Sequence, residues 1–393
     1  MAIFEPFAAL RFAPETLSDR VAPPYDVLSE ADVRHLRDRG PIEVTRIDVP
    51  TVGGGDQPYD DAAQLMSEWI ATGELRQDDR PSFTICRMAF VDEHGNPRRI
   101  DGVIGQVEVV DEGAGGVLAH ERTTPKASTD RLDLTRSTKA NLSPIWGLSA
   151  ATGLTELLAE RGELVGEVTW DGVTHRFERI VDPERCLAIS ACIATADILI
   201  ADGHHRYGVA QRYRDEVRES SGRDDTGAER TLMFVNEMVA EQLAVAAIHR
   251  VYRQVSADDL IAELEHRYEV LKAVLVDDGV LAPMSDEQAI CLVKPDGTGL
   301  LMRPRHGAFA GIRDLDGLRL EQALSGLDHE VSYQHGVSEV LGLLHEGAIE
   351  AAVLIRPVSV DEIQRTAHER DLMPPKSTFF TPKLLTGGVI RPM

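Results

Sequence analysis

Along the chain, short apolar runs of strand period alternate with stripes of helical period, separated by turns rich in glycine and proline. PSFTICRMAF and, after the turn DEHGNP, GVIGQVEVV read as strands. EVTWDGVTHRFERI (residues 167–180) reads as a hairpin with Asp171-Gly172 in its turn. TLMFVNEMV and LAVAAIHRVYR read as a second antiparallel pair, and a further hairpin is expected around Pro295-Asp296-Gly297. Helices are expected from Ser29 to about Arg39, over residues 60–73, around 183–195, near 337–345 and over 359–370, with a strand near 350–356. Ser29 with Asp32, and Ser256 with Asp259, have the spacing of capping boxes. Tyr333-Gln-His335 reads as the cap region ahead of the helix at 337. There is no internal repeat. Hairpins mixed with helices imply an α+β fold with mixed sheets and packed helices, not a doubly wound parallel sheet. The expected division is a catalytic region over residues 1–255 and a C-terminal α/β region over 256–393.

Two stretches follow neither period. Residues 113–144 are polar and rich in Thr, Lys and Arg, and 373–393 are again polar and irregular. Long irregular stretches in compact proteins are often binding loops or lids. In VAPPYDV (21–27) two prolines impose an extended segment and then a turn.

Composition narrows the choices. The 393 residues are 43% hydrophobic and carry a formal net charge of -24. Such a surface repels phosphate backbones, so no nucleic-acid partner is expected, and any phosphate ligand needs a local cationic pocket. No signal peptide and no stretch of membrane-span length is evident, so a cytoplasmic protein without a membrane partner is expected. Cys86, Cys186, Cys192 and Cys291 fit no zinc spacing and read as reduced, buried thiols.

ILIADGHHRYGVAQRY (198–213) carries the most chemistry. Ile198 to Ala201 reads as a buried strand, and Tyr207, Ala210, Tyr213 and Val217 mark one face of a helix. The helix therefore starts near His204 or His205, with Asp202 placed to cap it. A helix N-terminus presents backbone N–H groups and the positive end of the dipole. Gly203 lets a ligand approach the backbone, Arg206 can fork two phosphate oxygens, and His204 and His205 can donate hydrogen bonds or move protons. Together these make a phosphate cradle without the P-loop pattern. The plainer alternative makes both histidines structural and pairs Arg206 with a carboxylate. Adjacent histidines lack the spacing of a helical metal pair, while Mg2+ bridging Asp202 and a nucleotide stays open.

DGHHRYGVAQRY resembles the phosphate-binding box of the ParB/sulfiredoxin superfamily, in which a Gly-x-x-Arg element opens a helix and holds nucleotide phosphates. The free-serine kinases of that group are similar in an Asp-Gly-His-His-Arg core. A wider resemblance rests on FAALRFAPE, VAPPYDVLSE, the HERT segment at His120–Thr123, IADGHHRY and MPPKSTFFTPKLLTG. By these blocks the chain resembles the prokaryotic family known as domain of unknown function one thousand and fifteen. The likeness to the phosphate-binding box and the free-serine kinases implies a ParB/sulfiredoxin-like core and serine as acceptor; the wider resemblance brings little function with it. Residues 127–139 are more basic and richer in hydroxyls than that family leads one to expect.

Other clusters supply candidates. In the irregular stretch, His120 and Glu121 suit proton transfer, and Lys126 or Arg131 can steady a transferred phosphate; the alternative is a solvated loop. Asp26, presented by Pro23-Pro24-Tyr25, can bind metal, act as a base or cap the next helix. Lys376, Ser377 and Thr378, with Lys383, can grip phosphate in a tail stiffened by prolines. His249-Arg250 ends a strand pattern and is a weaker candidate for the same cleft. The reading is a kinase that moves a phosphoryl group from ATP or ADP, with Mg2+, to a small hydroxylated substrate. Asp202 to Arg206 would bind phosphates, and Asp26 or Glu121 would take the proton. A phosphate-ester hydrolase using the same cradle, or a non-catalytic nucleotide sensor, are the alternatives. The oligomeric state is not encoded in these features.

Overall fold

The computed structural model describes residues 1–92, 95–111, 113–119, 128–369 and 378–393. The chain forms two units. The first comprises Met1–Ala244, Thr366–Asp371 and Pro382–Met393, and the second Val245–Arg365 and Leu372–Thr381. Helices and sheets are mixed in both, and the fold is α+β.

Among the described residues the first unit carries a nine-stranded sheet. Its order is Val117–Ala119, Ile198–Asp202, Ile145–Ser149, Arg230–Glu237, Pro97–Glu108, Phe83–Val91, Val173–Ile180 and Glu163–Trp170, with Phe4–Glu5 also on Pro97–Glu108. Most pairs are antiparallel, but Ile198–Asp202 runs parallel to Val117–Ala119, and Ile145–Ser149 parallel to Arg230–Glu237. Ile198 and Ile200 pack in one core with Phe83, Val103, Ile145, Met233 and Val235, beneath Tyr207 of the helix His204–Ser221. Burial of this apolar face pins the strand that ends in Asp202. Asp171 and Gly172 both take positive φ (46° and 74°), as a two-residue hairpin turn requires. The capping box of Ser29 and Asp32 closes in both directions on the helix Glu30–Arg37.

Three expectations are corrected. The stretch 113–144 contains a strand, Val117–Ala119, and an 11-residue helix, Ser128–Thr138. This helix packs beside both Pro58–Ala71 and His204–Ser221; its leucines, Leu132 and Leu134, are buried but stand two residues apart among polar positions, so no stripe of helical period marks it. Arg136 grips Glu216 (2.9 and 2.6 Å), and Ser137 meets Asp60 (3.0 Å). Second, TLMFVNEMV and LAVAAIHRVYR do not pair. Arg230–Glu237 lies in the nine-stranded sheet, whereas Ile248–Arg253 lies in a sheet of the second unit. The residues between them form a 3-10 turn, Ala240–Gln242, instead of a hairpin loop. Third, Tyr333-Gln-His335 is not a cap region but the end of the strand Glu330–His335, and Gly336 caps the next helix.

The second unit holds a six-stranded antiparallel sheet in the order Tyr268–Leu275, Thr298–Pro304, Ile290–Val293, Ala351–Leu354, Ile248–Arg253 and Glu330–His335. Its central strands, ICLV and AAVL, are buried on both faces, which explains why they read as continuous apolar runs. Ile290, Leu292, Ala351 and Val353 face Leu260, Leu264 and Leu320; Cys291, Val293, Ala352 and Leu354 face Val337, Val340 and Leu344. His249 and Arg250 lie buried near the start of Ile248–Arg253, not at its end. All four cysteines are free, and only Cys192 is half-exposed.

The strand Ile145–Ser149 is anchored by Trp146, whose indole N–H donates to Asn236 Oδ1 at 2.7 Å while Asn236 Nδ2 donates to the carbonyls of Glu237 and Gln242. Asn236→Ala leaves that buried donor unpaired and is expected to destabilise the fold by about 1–3 kcal/mol, measured as a lower urea midpoint with unchanged m-value.

Candidate functional site

The site grows from the end of the strand Ile198–Asp202. Gly203 is left-handed (φ 93°, ψ 27°), and a Cβ there would stand 3.0 Å from Arg206 Nε. This residue turns the chain directly from strand into the helix His204–Ser221. The first hydrogen bond of that helix runs from Tyr207 N–H to Gly203 O (2.9 Å), so the ladder starts only after the two histidines and Arg206. No side chain caps the helix.

Asp202, expected as that cap, is engaged elsewhere. Its Oδ1 accepts from Lys383 Nζ at 2.8 Å and its Oδ2 from Arg206 Nη2 at 2.5 Å. Two nearby cations attract a carboxylate more strongly than backbone amides do. Burial opposes ionisation of Asp202, but Lys383, Arg206 and His204 together hold its carboxyl well below the usual range. Arg206 also donates from Nη1 to the Pro144 carbonyl (2.5 Å), and its charge is sustained against burial by Asp202, Asp26, Tyr25 and Asp48. The fork is therefore clamped by the chain's own oxygens, as the plainer reading of Arg206 has it.

A second cationic group stands beside the first. Arg131, on the helix Ser128–Thr138, is buried and lies 4.3 Å from the centre of the Tyr25 ring. Its Nη1 donates to the Asp48 carbonyl (2.6 Å) and to Asp48 Oδ1 (3.2 Å), and its Nε donates to Asp130 Oδ2 (2.7 Å). Asp130 in turn accepts from the Tyr59 hydroxyl at 2.7 Å. Tyr25, Asp48, Arg131, Ser143 and Arg206 line a cavity of about 50 Å3. Asp48 is only 3% exposed, and its Oδ2 has no hydrogen-bond partner among the described residues. Burial pushes its carboxyl up, against the pull of Arg131 and Arg206.

The sequence candidates divide as follows. Asp202, Gly203, His204, His205, Arg206, Arg131 and Asp26 belong to this region. His204 and His205 are half-buried on the first helical turn, and Asp26 is exposed on the short turn Tyr25–Val27, its charge acting on Arg206. Thr378 is buried within the second unit. His120, Glu121, Lys126, Lys376 and Ser377 lie outside the described residues. Sequence reasoning missed Asp48 and Tyr25 and saw Lys383 only as one more tail lysine. In VTRIDVP, Arg46 and Asp48 both break the apolar pattern, so nothing in the sequence singles out Asp48. Among the described residues no group of three or more His, Cys, Asp or Glu side chains could hold a metal ion, and Asp202 is already spent on two cations.

Asp202→Asn leaves Lys383 and Arg206 mostly buried beside a neutral amide. It is expected to lower stability by about 2–4 kcal/mol and to free the C-terminal segment, seen as faster proteolytic cleavage around Lys383.

The free serine kinase solved in complex with AMP is similar at 12% identity, covering 72% of this chain and 88% of that one, with a TM-score of 0.38. A conserved hypothetical protein from Pyrococcus furiosus is similar at 12% identity over 68% of this chain and 89% of its own, with a TM-score of 0.37. SbnI with a C-terminal truncation, from Staphylococcus aureus, is similar at 14% identity over 72% and 85%, with a TM-score of 0.38. No curated protein matches the sequence. The family model described as protein of unknown function (DUF1015) matches residues 4–326, more than half of the 393, and the chain belongs to that family.

Proposed function

We propose that this protein is a nucleotide-dependent phosphotransferase acting on a small hydroxylated metabolite. One observation carries the reading: Arg131, Arg206 and Lys383, from three separate parts of the chain, come together around the start of an 18-residue helix, each held by a carboxylate. The carboxylates that hold these cations belong to the chain, and an entering phosphate can take over the same donors. The helix N-terminus and a guanidinium suit phosphate oxygens in particular. When a nucleotide phosphate enters, Arg206 and Lys383 exchange Asp202 for phosphate oxygens, and His204 and His205 add hydrogen bonds from the same turn. A carboxylate beside the phosphates takes the proton of the attacking hydroxyl; Asp26 and Glu121 are the sequence candidates for it. Catalysis of this kind is mostly positioning and charge neutralisation. Any Mg2+ would arrive with the nucleotide, whose phosphates supply most of its ligands. The resemblance of DGHHR to the free-serine kinases makes serine the first acceptor to try.

Hydrolysis of a phosphate ester is the second reading, and the cavity of about 50 Å3 beside Arg206 favours it, since it has room for a water. Phosphorus NMR with ATP or ADP, Mg2+ and pooled hydroxyl metabolites including serine separates the cases. A new phosphomonoester signal that disappears in Arg206→Ala is the expected outcome. Free phosphate alone gives the hydrolase. Nucleotide binding that depends on Arg206 but yields no product gives the sensor, and no response at all removes the phosphate site.

A further inference from the structure

A buried carboxylate needs partners for its oxygens, and Asp48 has them for only one. Oδ1 is held by Arg131, while Oδ2 is buried and unpartnered. Leaving a charged acceptor buried without a hydrogen bond is unfavourable unless a ligand or water completes it. The same residue lines the cavity that Arg206 and Arg131 line, and the space of about 50 Å3 accepts a water or the hydroxyl-bearing end of a small molecule. Asp26 is placed differently. It is exposed on its turn, so a hydroxyl bound to it stays in contact with solvent.

We infer that Asp48 Oδ2 is the proton acceptor for the oxygen nucleophile, bound in this cavity beside the phosphate held by Arg206. The inference rests on the phosphoryl-transfer reading above and adds to it the identity of the base. The nucleophile's oxygen forms a bond to phosphorus, and its O–H bond breaks with the proton passing to Asp48 Oδ2. The bond from phosphorus to the bridging oxygen of the nucleotide breaks, and that oxygen leaves with the electron pair. Asp48 then returns its proton to solvent. The same steps hold for an alcohol and for water.

The groups facing Asp48 make this role workable. Arg131 and Asp130 come from the helix Ser128–Thr138, Arg206 from the helix His204–Ser221, and Tyr25 and Asp26 from the turn Tyr25–Val27. Burial and the two neighbouring carboxylates make Asp48 more basic than an ordinary aspartate, while the two arginines keep that rise in check. The base works when deprotonated, so turnover rises with pH through the titration of Asp48.

The test compares wild type, Asp48→Asn, Asp48→Glu and Asp130→Asn, each titrated with ADP by calorimetry and followed by phosphorus NMR for phosphomonoester or free phosphate across pH. Asp48→Asn is expected to retain or tighten ADP binding, since a negative charge has left the phosphate site. It should lose turnover by roughly 10²- to 10⁴-fold, the usual range for a general base, together with the acid limb of the pH profile. Asp48→Glu should restore part of the rate with a displaced acid limb. Asp130→Asn, which also takes a partner from Arg131, should keep an acid limb, moved to lower pH because one of the carboxylates that raise Asp48 is gone. Undiminished turnover with the same acid limb in Asp48→Asn would overturn the role of Asp48 and leave the kinase or hydrolase reading standing. Loss of ADP binding in Asp48→Asn would make it a residue that positions Arg131 and not a base. Wild type that binds ADP but forms neither product would overturn the transfer reading itself, and this role with it.

Discussion

The first unit depends on one charge held from two directions. Asp202 ends a strand whose other residues are buried, and its carboxylate takes Lys383 on one oxygen and Arg206 on the other. Lys383 lies 181 residues away in sequence. The bridge thus joins the C-terminal segment to the strand-to-helix turn, and the same segment continues as a strand, Arg391–Pro392, paired with Ala140–Asn141. All three side chains are mostly buried, and the two cations hold the Asp202 carboxylate ionised. A turn tied in this way presents its helix N-terminus in a fixed direction, as a preorganised anion site requires.

Beside it stands a second group with a different balance. Arg131 satisfies the carbonyl of Asp48, one of its carboxylate oxygens and Asp130, and lies over Tyr25. Three cations and four carboxylates thus come from the turn Tyr25–Val27, the helix Thr45–Asp48, the helix Ser128–Thr138, the strand-to-helix turn and the C-terminal segment. Such a set is close to neutral while ligand-free. Opposite charges hold each other, so the buried cations are not left bare. Asp48 is the buried carboxylate of the set with an oxygen that accepts no hydrogen bond among the described residues.

The second unit is held by a simpler principle. A sheet whose central strands are apolar on both faces takes a helical layer on each side, and the alternation of Ile290 and Leu292 with Cys291 and Val293 assigns each face its cluster. Those strands were legible as apolar runs, as were the helices after Ser256 and near 337, but the helix Asp316–Ala323 was not. Their order in the sheet was not, because Ala351–Leu354 sits between strands that precede it by some 60 and 100 residues.

Local pattern by itself determined the α+β class, the Asp171-Gly172 hairpin, the Ser29 capping box and the passage from strand to helix at Gly203. Each depends on residues within one turn or one strand of each other. It also marked Asp202 to Arg206 as the place where polar chemistry gathers. Tertiary structure decided the rest. The helix Ser128–Thr138 has no stripe to announce it, since its buried Leu132 and Leu134 stand two residues apart and charged contacts such as Arg136 with Glu216 supply the rest. Arg230–Glu237 and Ile248–Arg253 share strand chemistry but went to different sheets, because period two does not name a partner. Asp202 left the capping position for Lys383, and Asp48 came to lie beside Arg206, through contacts spanning more than 150 residues in each case. Charge pairing acts through space between side chains that folding brings together, and sequence distance carries no record of it.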